Sequence, residues 1–553
     1  MARASGPATQ DFAPGEFQHD TSGVHYRVYL EDGDAWLSFD RDGKNSLHGK
    51  RKLLYFIGSG HRGKTYLFSD DDFLFESPIN LYSQKASAWD MAPAYQHARE
   101  MPLNLPAMSS CLACHTSGAQ PPIAGTENKY PSPVFAHAGI TCERCHGAAA
   151  AHIAAASAGK GTNIDAGVVN PAKLSPARRD QVCMACHLEG NAAIEQPGKH
   201  LYQFQPGENL SDFVRYFVLT GDGKENVRAV SQFEALAQSK CKRVTGDAMT
   251  CTSCHDPHSS PAPEQRVAFY RAKCLACHGE PFAAKHHAEQ QDCTQCHMPR
   301  VTTDVAHTQS SDHRILRVPA MPLQSVGNGF ELSHEPPPEP QLKLFPATEE
   351  PANIRDLTLA WVALAEGGSR DASIQGEKLL PQALQQAPDD PALLTALGFV
   401  EQRRKELDKA REHYEHALRV DPLLVDAASN LAVLEANAGH LERAITLWRP
   451  AFERAPQRSG LGLNLARAYC VSGHAEESQA TLVRVLEFNP DSSAGRSMLA
   501  SLQSGQAKCT PPITPPGANS RPANAAPTNS APTNLPGANA PPRNSGTAKS
   551  GPN

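Results

Sequence analysis

The chain has few aromatic residues, no strong charge of one sign and no long apolar run. Aromatic side chains make up 6% of its 553 residues, so part of the chain is disordered or something other than protein fills part of its core. The net charge of -6, with acidic and basic residues mixed, argues against a nucleic-acid partner, which would need a basic face. No apolar stretch approaches the roughly 18 residues of a membrane-spanning helix, so no membrane span is predicted.

Cysteine, in contrast, is frequent and regularly placed. Twelve of the 15 cysteines form six CxxC pairs, and a histidine follows each pair directly. The pairs are Cys111/Cys114, Cys142/Cys145, Cys183/Cys186, Cys251/Cys254, Cys274/Cys277 and Cys293/Cys296, followed by His115, His146, His187, His255, His278 and His297. With 24 histidines in the chain, chance would give this result at roughly 10⁻⁸, so the repeating unit is CxxCH.

The CxxCH unit predicts covalent haem attachment. Two cysteines three positions apart lie on one side of a helical turn, where their sulfurs can add to the vinyl groups of one haem while the histidine meets the iron. Structural zinc would use tandem cysteine pairs but leaves the six histidines unexplained. A thioredoxin-like dithiol would occur once and in a βαβ setting. The sequence therefore predicts six haem c groups, which would supply the apolar bulk that aromatic residues do not.

The chain divides into five segments, and the predicted fold class is mainly α. A small β-rich segment, in which HYRVYLEDGDAWLSF predicts a hairpin around a Gly-containing turn, comes first. It is followed by a loop-rich haem domain, a proline-rich linker, an α-solenoid and a disordered tail that cannot bury apolar surface. We place these segments at residues 1–100, 101–318, 319–353, 354–506 and 507–553.

The solenoid is indicated by a period of 34 residues. Proline recurs at Pro388, Pro422, Pro456 and Pro490, and small residues keep the same step. This period, with small residues where helices cross and proline after the second helix, is typical of tetratricopeptide repeats. We count three full repeats with partial repeats on either side.

Two further features need interpretation. GSGHRGKT, from Gly58 to Thr65, fits the P-loop pattern, but a strand-like segment follows it where a P-loop needs a helix, so we interpret it as a turn between strands. Cys241 stands outside the CxxCH units, and its role is left open. Cys470 falls in a repeat helix and is predicted to be buried.

Several stretches resemble a known family. TCERCHGAAAAH, MTCTSCHDPH and CTQCHMPR followed by VAHTQSSDHRI are similar to periplasmic multihaem cytochromes c with doubled CxxCH motifs, which include the tetrahaem electron carriers of ammonia oxidisers. A subgroup with C-terminal tetratricopeptide repeats also resembles this chain in IGSGHRGKTYLF and WDMAPAY. The resemblance implies four distal iron ligands: His152, His258, His307 and His313. Further candidates are His137, His286, His287 and His61.

His258 follows the fourth motif by only three residues. It cannot easily turn across Asp256 and Pro257 to the far side of its own haem, so we expect it to bind the iron of a neighbouring haem.

The resemblance implies a periplasmic or other extracytoplasmic location. MARASGPATQDFAPGEF has no apolar signal-peptide region, so we expect that the start is misplaced or trimmed.

The function predicted from the sequence is electron transfer along a chain of haems. The repeat domain would offer a concave surface to a redox partner protein. Two alternatives remain. One is a multihaem oxidoreductase acting on a small nitrogen or sulfur compound at a five-coordinate haem. The other is a repeat-containing adaptor whose haem domain is structural or a sensor.

Overall fold

The computed structural model describes most of the chain. The described residues are 4–43, 45–83, 88–159, 167–220, 228, 230–286, 291–302, 309–317, 340–347 and 352–505. In this part of the chain, no helix combines the length and the apolar character that a membrane crossing demands.

The N-terminal segment forms an antiparallel sheet of eight strands. They are β1 (Ser5–Pro7), β2 (Gly15–His19), β3 (Val24–Glu31), β4 (Asp34–Arg41), β5 (Leu47–Ile57), β6 (Gly63–Asp70), β7 (Phe73–Tyr82) and β8 (Ala88–Met91). The order runs from β2 to β8, with β1 beside the end of β5. The sheet is nearly closed, because Gly15 on β2 lies against the indole of Trp89 on β8 and leaves no room for a Cβ. The sequence analysis predicted a small β-rich segment, whereas the structure has a nearly closed sheet of eight strands here.

Two turns of the sheet bear directly on the sequence analysis. β3 and β4 form the predicted hairpin, whose turn residues Asp32 and Gly33 both have positive φ. The P-loop-like segment joins β5 to β6 and is followed by a strand. The Nζ of Lys64 donates to the carbonyls of Gln10 and Asp11, each at 3.1 Å, and is buried. Because this amine already binds two backbone carbonyls and a strand follows, the segment is a turn between strands, as predicted.

The middle of the chain consists of short helices and two small sheets. The helices are α1 (Ser109–His115), α2 (Glu143–His146), α3 (Ala150–Ser157), α4 (Pro176–His187), α5 (Gln232–Gln238), α6 (Lys240–Thr245), α7 (Arg266–His278), α8 (Glu280–His286) and α9 (Cys293–His297). The strands are β9 (Ala192–Glu195), β10 (Val214–Thr220), β11 (Arg300–Thr302), β12 (Gln309–Ser311) and β13 (Gln341–Phe345). β13, from the segment predicted as a linker, pairs with β10, so part of that segment belongs to the folded body.

The C-terminal region is a stack of antiparallel helix pairs. Its helices are α10 (Ile354–Glu366), α11 (Arg370–Gln386), α12 (Pro391–Arg403), α13 (Leu407–Val420), α14 (Val425–Asn437), α15 (Leu441–Arg454), α16 (Ser459–Val471), α17 (Ala475–Phe488) and α18 (Ser493–Gln503). Small residues at the predicted crossings, such as Ala410 and Ala444, are fully buried. Gly398 lies against the Tyr414 ring, where a larger side chain would not fit. The 34-residue period thus predicted these helix pairs. At the start of the stack, where a partial repeat was predicted, α10 and α11 form a complete pair.

The repeat stack packs against the N-terminal sheet. Phe488, at the end of α17, lies 6.2 Å from Phe73 and 5.4 Å from Phe75, ring centroid to ring centroid, inside the core of the sheet. Arg458, in the turn before α16, pairs with Asp426 at 2.6 Å and with Glu127 of the middle segment at 2.7 Å. The stack is therefore fixed to the other two parts of the chain along the edge formed by the turns between its pairs.

Candidate haem-binding site

The CxxCH motifs share one local geometry. Five of them end a helix at their histidine: α1 at His115, α2 at His146, α4 at His187, α7 at His278 and α9 at His297. The remaining motif, the fourth in chain order, forms a single 3-10 turn over Cys251–Ser253, and His255 follows shortly after it. A helical turn places both sulfurs and the imidazole on one side of the backbone. This local geometry is the one that the spacing of the motif predicts.

The motifs lie next to one another rather than along an extended chain. The thiol of Cys114 lies close to that of Cys186, and the thiol of Cys183 lies close to that of Cys251. The Cys114 thiol also donates to the Ala185 carbonyl at 3.5 Å. These contacts bring the first, third and fourth motifs together.

The fifth and sixth motifs continue the same cluster. Cys274 of the fifth motif lies beside Cys293 of the sixth and close to Cys254 of the fourth. Cys145 of the second motif lies close to Cys183 of the third. Each of the six motifs therefore has a neighbouring motif within the range of side-chain interaction. The cluster also includes the free thiol of Cys241, which lies close to Cys254 and Cys274.

Two predicted haem anchors are more exposed than their partners in the same motif. Cys277 of the fifth motif is exposed at the end of α7, although it lies close to Cys254, whereas Cys274 is half-buried. Cys142 of the second motif is exposed, whereas Cys145 is half-buried. Haem attachment at all twelve motif cysteines stays a prediction.

Three motif histidines face a second histidine. The ring centroids of His146 and His258 are 5.9 Å apart, and their planes differ by 8°. The pair His255 and His313 is separated by 6.2 Å with planes at 26°, and the pair His286 and His297 by 5.9 Å with planes at 25°. Two imidazoles bound to opposite sides of one metal, with bonds of about 2 Å, have centroids roughly 6 Å apart. The observed spacing fits an iron between the rings.

Backbone carbonyls orient several of these rings. The Nδ1 of His146 lies 2.8 Å from the Val169 carbonyl, and that of His297 lies 2.5 Å from the Leu316 carbonyl. His313 has the same arrangement with Ser311 at 2.9 Å. A proton held on Nδ1 by a carbonyl leaves Nε2 as the free electron pair, which is the usual state of a metal-binding imidazole. Because any residue can supply a carbonyl, the sequence carries no signal for these partners.

His187 is oriented by a side chain instead. Its Nδ1 lies 3.0 Å from the amide oxygen of Gln232 at the start of α5. Nothing in the sequence singles out Gln232, which is separated from His187 by 45 residues.

The loop after the fourth motif is held by the side chain of Asp256. The Asp256 carboxylate accepts hydrogen bonds from the His258 backbone amide at 2.9 Å and from the Ser259 hydroxyl at 2.7 Å. This aspartate turn fixes the direction in which the chain leaves the motif. His258 lies beside His146 of the second motif, and its role as a ligand of a neighbouring iron stays a prediction.

A second tight turn holds His313 in place. Asp312 is fully buried and forms an ion pair with Arg314 at 2.7 Å, and its backbone amide donates to the Pro299 carbonyl. Burial lowers the pKa of both His255 and His313, which keeps the two rings neutral. A neutral imidazole is the form that binds a metal ion.

The first motif is the most deeply enclosed. Burial lowers the pKa of His115 and raises that of the Cys111 thiol to about 12. Both side chains nevertheless keep some accessible surface. Glu76 of β7 lies close to Cys111, and burial raises the pKa of its carboxyl to about 7. The sequence analysis did not single out Glu76, which looks like an ordinary polar residue of a strand.

The last three motifs lie in a segment without a protein core. Of the residues that the structure describes between Cys251 and Thr302, none is buried. A segment of this length cannot be held by side-chain burial that it does not have. This also accounts for the exposure of Cys277 and the partial burial of Cys296. Covalently attached porphyrins would fill the missing core, in agreement with the low aromatic content.

The remaining predicted ligands differ in exposure. His61 is exposed on the turn between β5 and β6, and His137 is exposed in the loop after the first motif. His152 is half-buried on α3. His287 and His307 lie outside the described residues.

Three family models match separate parts of the chain. Residues 243–282 match the doubled CXXCH motif, residues 79–147 match cytochrome c554 and c-prime, and residues 436–502 match the tetratricopeptide repeat. The chain carries multihaem cytochrome c segments joined to tetratricopeptide repeats. The cytochrome matches agree with the clustered CxxCH geometry and indicate covalently bound haem c with its iron.

Three solved structures are similar to about a quarter of the chain each. A MamA mutant is 18% identical with a TM-score of 0.24, over 27% of this chain and 88% of that one. The pilF protein of Pseudomonas aeruginosa is 21% identical with a TM-score of 0.25, over 28% of this chain and 69% of that one. A tetratricopeptide repeat protein from Parabacteroides merdae is 20% identical with a TM-score of 0.24, over 28% and 61%. No curated protein matches the chain.

Proposed function

We propose that the protein is an electron carrier with six haem c groups in one connected cluster. Each cysteine pair anchors one porphyrin and the following histidine binds its iron. The iron of a bound haem c takes up and releases one electron. The support for six sites is that all six motifs have the same CxxCH sequence and that each lies beside another motif.

The three histidine pairs suggest which residue is the sixth ligand of three of the irons. We assign His258 to the iron of the His146 site, His313 to that of the His255 site and His286 to that of the His297 site. Two imidazoles hold an iron in one coordination geometry and exclude exogenous ligands, which suits electron transfer better than catalysis. The spacing of about 6 Å between facing rings is the observation that carries the proposal.

Haem counting combined with electron paramagnetic resonance tests this function. Mass spectrometry and a pyridine haemochrome assay of the purified protein are expected to give six haems. The oxidised protein is expected to show low-spin ferric signals from the paired sites. A count below six would refute the six-haem proposal. Three sites have no assigned sixth ligand, so high-spin signals from four or more haems would refute the paired ligation.

A multihaem oxidoreductase is the second candidate, and one observation favours it. The Glu76 carboxyl lies close to Cys111 of the first motif, and its pKa of about 7 allows it to give or accept a proton near neutral pH. A small molecule bound near His115 could use such a group. A high-spin ferric signal that shifts on addition of cyanide or nitric oxide would support this candidate, and an all-low-spin spectrum would exclude it.

The repeat stack supports a partner protein. Tetratricopeptide repeats commonly bind proteins on a concave face lined by the first helix of each pair. Here α12 contacts the first helices on both sides, α10 and α14, which places these three on the inner face. The turns at the edge of the stack already contact the N-terminal sheet and the middle segment. We therefore propose that a redox partner binds the inner face. Cross-linking of the holo-protein in its native cells tests this.

We propose an extracytoplasmic location. Covalent haem c supports it, and so does the disulfide-bonded state of Cys470, because structural disulfides persist mainly in oxidising compartments. Haem staining of cell fractions is expected to find the protein outside the cytoplasm. A haem-loaded pool confined to the cytoplasm would refute this location.

A further inference from the structure

The imidazole of His187 in the third motif differs from two other motif histidines in its hydrogen-bond partner. The Nδ1 atoms of His146 and His297 lie against backbone carbonyls. The Nδ1 atom of His187 lies 3.0 Å from the side-chain amide oxygen of Gln232 instead. When Nε2 binds an iron, Nδ1 carries the proton of a neutral ring and acts as its donor. His187 therefore donates to a side chain that one substitution can change.

We propose that Gln232 sets the reduction potential of the haem iron at the third motif. This role rests on the proposed function, because it requires a haem at His187. An acceptor at Nδ1 draws the proton away from the ring and makes Nε2 a stronger donor to the iron. A stronger donor stabilises the ferric state, which has one positive charge more than the ferrous state, so the potential falls. Gln232 is thus a positioning residue that acts through His187.

A buried network at the start of α5 holds Gln232 in place. Glu234, two residues further along the helix, forms an ion pair with Arg228, and both residues are buried. The Glu234 carboxylate also accepts from the backbone amide of Gly190 at 2.5 Å. Gly190 follows His187 by three residues, so one buried carboxylate joins α5 to the loop behind the third motif. The fold therefore fixes the position of Gln232 relative to the ring that it contacts.

The third motif lies beside three other motifs. Cys186 lies close to Cys114 of the first motif. Cys183 lies close to Cys145 of the second motif and to Cys251 of the fourth. Along these contacts, the first and second motifs reach the fourth through the third. The potential of the third site decides how strongly it holds an electron, so the hydrogen bond at this site influences how electrons distribute across the cluster.

Two variants of similar size to glutamine give opposite expected shifts. Gln232→Met removes the acceptor, so the midpoint potential of one haem is expected to rise. Gln232→Glu supplies a carboxylate at about pH 8, which is a stronger acceptor, so the potential of the same haem is expected to fall. Each shift is expected to change the ratio of reduced to oxidised haem about tenfold at a fixed ambient potential, which is about 59 mV for one electron. Altered packing alone would not move the potential in opposite directions.

Spectroelectrochemical titration of the full-length, haem-loaded protein measures these shifts. Gln238→Met and Gln238→Glu are the matched controls, because Gln238 is the exposed last residue of the same helix. They are expected to leave all the haem potentials unchanged. Unchanged potentials in both Gln232 variants, shifts of the same sign, or equal shifts in the controls would overturn the proposal.

Mass spectrometry of the peptide that contains Cys183 and Cys186 separates this role from the proposed function. The peptide is expected to carry one haem in the parent and in both Gln232 variants. A parent peptide without haem would refute the proposed third site and the role of Gln232 with it. A haem-bearing peptide combined with unchanged potentials would refute the role of Gln232 alone.

Discussion

Arg41, at the end of a strand in the N-terminal sheet, forms a two-pronged ion pair with Asp491, which lies 450 residues later in the chain. The two guanidinium nitrogens donate to the two carboxylate oxygens at 2.8 and 2.5 Å. Asp491 is buried, and it also accepts from the Met101 backbone amide at 2.8 Å and from Arg496. One carboxylate therefore joins the sheet, the entry to the cytochrome segment and the last repeat.

Asp491→Asn is expected to loosen the repeat stack from the sheet. The change leaves the half-buried Arg41 and Arg496 without a counter-charge, and breaking a buried pair in this way typically costs about 3 kcal/mol. Chemical denaturation of the haem-loaded protein should show a lower stability of that order, and α18 should exchange its amides faster.

Arg484→Gln is the matched control for this interface. Arg484 reaches Asp71 of the sheet at 2.7 Å, but both side chains are substantially solvent-exposed. An exposed pair of this kind contributes less than about 1 kcal/mol. A loss of stability as large as that of Asp491→Asn would show that burial of the carboxylate is not the decisive feature.

His258→Ala is expected to change the spin state of one haem. If His258 supplies the sixth ligand at the His146 site, its removal leaves that iron five-coordinate or water-bound, and one high-spin ferric signal should appear. The stability should change little, because His258 is largely exposed on its loop. Electron paramagnetic resonance and the visible spectrum measure the effect.

His200→Ala is the control for the loss of a histidine in the same segment. His200 is held by Glu195 at 2.7 Å and stacks on Tyr202 at 5.2 Å, away from the described histidine pairs. Its removal should leave the spin states unchanged. An unaltered spectrum in His258→Ala would assign the ligand of the His146 site to another group.

Local patterns predicted much of this protein, because their causes are local. The CxxCH spacing follows from one helical turn, and the 34-residue period follows from the packing of one helix pair on the next. Both are visible in a single stretch of sequence. The hairpin around Asp32 and Gly33 is another example, since the turn itself selects residues that accept positive φ.

Long-range contacts could not be predicted in the same way. Phe488 has the character of a core residue of a repeat helix, and nothing in its surroundings indicates that it packs on Phe73 and Phe75 of a distant sheet. Likewise, the sequence did not predict β13, which lies in a proline-rich segment. This strand pairs with β10, and the paired residues Thr220 and Gln341 are 121 positions apart. His286 and His313 could be named as candidates, but their partners required the structure.

Removal of haem is expected to unfold one part of the chain selectively. In protein produced without haem attachment, the described residues of 251–302 have no buried side chains to hold them, whereas the sheet and the repeat stack keep their own cores. Limited trypsin digestion should cut first at Arg266, Arg271 or Lys273. The haem-loaded chain should resist cleavage there, and equal resistance in both forms would contradict a core made of porphyrin.

Glu76→Gln is expected to remove a pH dependence of stability. The folded protein holds a proton on Glu76 up to a pKa of about 7, whereas the unfolded chain releases it near the ordinary value of 4.5. Because the native state binds the extra proton, stability falls as the pH rises from about 4.5 to 7, and the cost reaches roughly 3 kcal/mol above that range. The neutral amide carries no such cost.

Denaturation of the haem-loaded proteins measures this effect. The Glu76→Gln variant should be more stable than the parent at about pH 8 and nearly equal to it at about pH 4. Glu264→Gln, at an exposed carboxyl, should match the parent at both pH values. An equal difference between Glu76→Gln and the parent at both pH values would mean that Glu76 is not held protonated by burial.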